Sequence, residues 1–145
     1  RVLFRSESSM NFLKSEPFIF NGNTIELFEL SALQRIEHLQ YLALDEKSLP
    51  KDEEDEGYLP LRVASNIRRG ARLIAMSLWQ GDTSKHVDAL QDEVLSGWSP
   101  AMIGAGEQFV KKLSDMLPLQ DPEQASGEEN TDHAVGEEEV SAEKR

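Results

Sequence analysis

The sequence predicts a mainly α fold: an N-terminal β-hairpin, a bundle of about four helices, and a disordered acidic C-terminal tail. Three observations predict it. An Asn-Gly pair separates two short, β-prone apolar runs. Four apolar stripes at helical spacing follow, each opened by a capping residue or a proline. After Leu117 only Leu119 and two valines interrupt a polar, acidic stretch, which cannot bury enough surface to offset its ordering entropy.

The hairpin is expected over residues 12–29. In "FIFNGNTIEL" both Asn21 and Gly22 tolerate the positive φ that a two-residue hairpin turn requires. A lone two-stranded hairpin is marginal in water, so it must pack on something. The first helix is expected over about 31–45. Ser31 offers an N-cap, and Gln34 completes a capping box three residues on. Leu33, Ile36, Leu39 and Ala43 follow at helical spacing. The first three are expected to bury this helix under the hairpin.

A second helix is expected over about 60–80. Pro60 suits a first turn, Gly81 suits a stop, and Ala64, Ile67, Ala71, Ile74, Ala75 and Leu78 form its apolar stripe. The third, about 84–98, starts after Thr83 or Ser84 and buries Val87, Leu90, Val94 and Trp98. The fourth, about 100–117, opens on Ser99-Pro100 and lines Met102, Gly106, Phe109, Leu113 and Met116 along one side. Gly104 and Gly106 each cost a helix about 1 kcal/mol relative to alanine, so its first half is expected to be loose.

The 145 residues make one domain, expected over 10–117, with the acidic tail at 118–145. Residues 1–9, "RVLFRSESS", read as an upstream or non-native extension, because a coherent pattern begins only at Met10. The net charge is -12, and its location is informative. Asp45 to Glu56 contributes -5 and Pro118 to Arg145 contributes -7, which leaves the rest of the chain neutral. Nonspecific nucleic-acid binding needs a net basic surface, so no nucleic-acid partner is expected. No apolar run approaches the roughly 20 residues of a membrane helix, so no membrane partner is expected either. The absence of cysteine rules out disulfides, thiolate catalysis and Cys-ligated metals.

Nothing in the chain supports catalysis. His38, His86 and His133 are far apart and lack ligand spacing. "DEEDEGYLPLRV" imitates a calcium loop but places Val63 where a bidentate Glu is required. "GAGEQF" follows no strand and lacks the spacing of a phosphate loop. No catalytic residue, no cofactor and no metal are expected.

The candidates for a partner surface are Arg62, Arg68, Arg69 and Arg72, with Trp79 and Trp98. The arginines gather on the second helix of an acidic protein, and arginine and tryptophan are enriched at interfaces. The bland reading of the arginines is a polar face paired with neighbouring acids. For the tryptophans it is core filling. A third possibility is that the chain's own acidic loop or tail occupies the arginine face until a partner arrives. By residues alone, a second class stays open: a small acidic regulatory or adaptor protein, associated with DNA through the arginine-rich helix.

"NFLKSEPFIFNGNTIELFELSALQRIEHL", "GARLIAMSLW" and, more weakly, "EVLSGWSPAMIGAGEQFVKKLSDM" narrow the choice. Together they resemble the tail assembly protein G family of lambdoid phages, also called minor tail protein G or the tail assembly chaperone. The resemblance runs from about Met10 to Leu117. It implies a chaperone of long non-contractile tail assembly that binds and solubilises the tape measure protein. It further implies a longer product of ribosomal frameshifting that recruits the tail tube protein, and possible self-association. The expected location is the host cell cytoplasm, with absence from the mature virion. The loop "LPKDEEDEGYLP" is more acidic than the family pattern, and "SAEKR" lacks the Gly-Lys pair associated with the slip site.

Overall fold

The computed structural model describes residues 11–116. The extension expected at 1–9 and the acidic tail expected at 118–145 lie outside the described residues. Two strands and four helices follow one another: β1 (Ser15–Phe20), β2 (Asn23–Phe28), α1 (Ala32–Lys47), α2 (Tyr58–Gly81), α3 (Val87–Gly97) and α4 (Pro100–Leu113). The mainly α class and the N-terminal hairpin are as the sequence predicts.

β1 and β2 pair antiparallel, with Phe20 opposite Asn23 and Phe18 opposite Ile25. Asn21 and Gly22 both take positive φ, 50° and 81°, which is the turn that matches the strands' own twist. One face of the hairpin carries Phe18 and Leu27 inward, both buried. Phe18 stacks on Trp98 with ring centroids 6.1 Å apart and meets Phe109 at 5.3 Å. The core therefore supplies what the hairpin lacks on its own.

α2 is the central helix. Gly70, Ala71, Leu73, Ile74, Ala75, Met76 and Ser77 are all buried, so it is enclosed on several sides here. The hairpin, α3 and α4 pack on it. Ser77 also satisfies the β2 backbone. Its hydroxyl donates to the Phe28 carbonyl at 2.8 Å and accepts the Phe28 N–H at 2.6 Å. Where α2 meets α4, a Cβ on Gly106 would lie 2.9 Å from Ile74 Cδ1 and 3.1 Å from Trp98 Cζ3. The second expected weak point of α4 is thus a close approach to the Ile74 and Trp98 side chains, and α4 is one continuous helix.

The helix starts differ from expectation for local reasons. α2 begins at Tyr58, two residues early, and still holds Pro60 in its first turn, where no N–H is needed. α3 begins at Val87, because His86 Nδ1 accepts the Asp88 N–H as its cap. Ser84 is instead taken up by the Asp82 carboxylate. α4 ends at Leu113, and Asp115 takes a positive φ of 58°.

α1 corrects the sequence reading most. Its capping box forms as expected, with Ser31 accepting from the Gln34 N–H and Gln34 accepting from the Ser31 N–H. The expected burial of Leu33, Ile36 and Leu39 does not occur. They point outward, and the helix buries Gln34 and His38 instead.

Candidate partner-binding surface

α1 packs with its polar side down. Gln34, His38, Tyr41 and Asp45 recur every three or four residues and so share the face turned to the body. Gln34 Nε2 donates to the Met76 carbonyl at 2.9 Å, and Gln80 Nε2 donates to Gln34 Oε1 at 2.7 Å. Arg35 reaches the Ser114 carbonyl at 3.3 Å. The Arg72 guanidinium lies 4.8 Å from the centre of the Tyr41 ring, and Gln91 donates to the Tyr41 hydroxyl.

The end of α1 is fixed by charge. Arg69 bonds Asp45 at 2.7 Å and Glu46 at 3.1 Å, while Arg62 bonds Glu46 at 2.8 Å and the Pro50 carbonyl at 3.1 Å. Ser65 also donates to Asp45. Hydrogen bonds from Arg62 and then Arg69 hold the Glu46 carboxyl down at a pKa of about 2. Burial pushes the Asp45 pKa up, but the bonds from Ser65 and Arg69 outweigh it and keep the group below its ordinary value. His38 is displaced as well. Burial, followed by the nearby charges of Lys111, Arg72, Arg69 and Arg35, lowers its pKa to about 4. Its Nδ1 has no hydrogen-bond partner among the described residues.

With its polar face occupied, α1 presents its apolar face to solvent. Leu33, Ile36, Leu39 and Leu44 are 63, 53, 62 and 66% exposed. Isolated exposed leucines need no explanation, but a run of them along one helix marks an interaction surface. The first turns of α2 expose Leu59, Leu61 and Val63 as well.

The four arginines do not converge on one surface. Arg62 and Arg69 grip the end of α1, and Arg72 pairs with Asp88 at 2.9 Å beneath Tyr41. Arg68 is exposed, and its side chain has no ion-pair partner among the described residues. Trp98 sits against Phe18, and Trp79 is half-buried. Asp45 and Glu46, which meet Arg62 and Arg69, are the first two residues of the acidic stretch read from the sequence.

No group of side chains that could hold a metal ion occurs among the described residues. No helix among them is long and apolar enough to cross a membrane. An open groove of about 230 Å³ lies between β1 and α4, lined by Lys14, Glu16, Phe109, Lys112 and Leu113. That lining contains neither a histidine nor a pair of carboxylates.

The family model of the bacteriophage lambda tail assembly chaperone, TAC, protein G, matches residues 11–134. The chain belongs to this family. It is 41% identical over 143 residues to tail assembly protein G of Escherichia phage N15, covering 92% of this chain and 96% of that protein. It is 40% identical over 113 residues to tail assembly protein G of Escherichia phage lambda, covering 72% and 78%. It is also 41% identical over 133 residues to tail assembly protein GT of phage N15, and there the match spans 85% of this chain but only 51% of the relative. No solved structure matches. In this member of the tail assembly chaperone family, the geometry adds an outward apolar face on α1 that the stripe alone did not orient.

Proposed function

We propose that this chain binds the tape measure protein during assembly of a long non-contractile tail and keeps it soluble. The observation that carries the reading is the open apolar face of α1 in a member of the tail assembly chaperone family. A long helical chain with apolar faces aggregates unless they are covered. Many small acidic subunits would cover those faces, and the net charge of -12 on each would keep the coated complexes apart. Each contact need only be weak, because repetition along one template supplies avidity. Arg68 is available to the partner, whereas Arg62, Arg69 and Arg72 support α1 from within. The role is non-enzymatic.

We also propose that a longer, frameshifted product carries this domain and recruits the tail tube protein. The match to about half of the N15 GT protein supports that relation. Both products would act in the host cytoplasm and be absent from the mature virion. Co-expression with the tape measure protein tests the main reading. The tape measure is expected in the soluble fraction with this chain and in the pellet without it. A tape measure that stays in the pellet in both cases overturns the reading.

A further inference from the structure

We propose that the outward face of α1 is a helix-docking seam whose occupant is an amphipathic helix with lysines or arginines beside its apolar stripe. This rests on the chaperone reading for the partner's identity and on the following geometry for its chemistry. Leu33, Ile36, Gln40 and Ala43 repeat at spacings of three, four and three, the spacing at which one helix seats another. Leu39 and Leu44 flank that line on its two sides, and all six residues are exposed. From Leu33 to Leu44 the seam runs about 16 Å, or three turns. A groove for a small molecule would be concave, whereas this is the convex surface of a single helix, suited to a second helix laid along it.

The charge that follows the seam along the chain selects the occupant. Asp52, Glu53, Glu54, Asp55 and Glu56 follow the C-terminal end of α1, and all are exposed. The ion pairs among the described residues use Asp45, Glu46, Asp88, Glu93 and Glu107 but none of these five. Lys47 takes the next position of the line and Lys51 follows it, so these two cations and the five acids sum to -3, a balance that favours an apolar helix carrying cations. A second copy of this chain is a poorer match. It brings another net charge of -12.

The test titrates the full chain with a synthetic 21-residue helix of leucines in heptad spacing and lysines elsewhere, and with its Leu/Glu counterpart. The expected result is binding of the Leu/Lys helix that weakens at least tenfold in an Ile36→Ser, Leu39→Ser double variant. Both positions are exposed, so circular dichroism and Tm should be unchanged and a folding defect is recognisable. Neutralising Asp52, Glu53, Glu54 and Asp55 to their amides should weaken binding several-fold and flatten its salt dependence. Equal binding by the double variant, or equal binding of the Leu/Glu helix, overturns the proposal. So does a wild-type dimer in sedimentation that the double variant dissolves, which would make a second copy the occupant. NMR contacts in the free chain from the Ile36 and Leu39 methyls to residues beyond 116 would overturn it too, making the occupant the chain's own end. Co-expression with the tape measure protein separates the two claims. If the double variant solubilises it as well as wild type, the seam is wrong and the chaperone reading stands. If wild type fails while helix binding still needs Ile36 and Leu39, the seam stands and the chaperone reading falls.

Discussion

Lowering the pH from 7.5 to 5 should loosen this protein through one residue, His38. The side chain is buried under α1, and protonating it adds a charge facing Lys111, Arg72, Arg69 and Arg35. Its pKa is lowered from 6.5 to about 4 on folding. The unfolded state therefore binds the proton more readily, and acid favours unfolding. The contribution is fully present above pH 6.5 and is lost as the pH falls toward 4. The whole gap corresponds to about 3 kcal/mol, of which about 2 is lost by pH 5. Asp45 and Glu46, whose pKa values are lowered, lose their contributions as the pH falls through and below their ordinary values of 3.8 and 4.5, outside the assayed range of pH 7.5 to 5. Urea unfolding at a series of pH values, followed by circular dichroism, measures the slope. His38→Leu removes the titrating group and should flatten the curve between pH 7.5 and 5. Equal slopes for wild type and His38→Leu would refute the assignment.

Two glycines of α4 should respond to alanine with opposite signs. Gly106→Ala forces a Cβ against Ile74 and Trp98 and should destabilise by about 1 kcal/mol despite the better helix propensity. Gly104→Ala meets nothing within 4 Å and should stabilise by about 1 kcal/mol, both read as shifts in urea midpoint. Ser77→Ala leaves the Phe28 N–H and carbonyl without their helix partner and should cost about 2 kcal/mol by the same assay. Hydrogen exchange should then rise first in the β2 amides.

The hairpin and the helix caps were legible because each depends on a few adjacent residues. Asn21-Gly22 admits one kind of turn, and Ser31 with Gln34 or Ser99 with Pro100 marks a helix start wherever the helix later packs. The orientation of α1 was not legible in the same way. Periodicity identifies Leu33, Ile36 and Leu39 as one face, but it cannot say whether that face turns to the core or to a partner. The missing signal was on the opposite side. Gln34, His38, Tyr41 and Asp45 form an equally regular polar line, and Gln34, Tyr41 and Asp45 meet a backbone carbonyl or a cation that only the tertiary fold supplies. The arginines of α2 stand out in the sequence by number, but their roles depend on where Asp45, Glu46 and Asp88 come to rest.

The most direct measurement is the mass of the soluble complex formed when this chain is co-expressed with the tape measure protein, by light scattering after size exclusion. Coating a long template requires many copies of the chain on each tape measure, with the number rising as the tape measure is lengthened. A single copy per tape measure, or a number indifferent to its length, would contradict the chaperone reading.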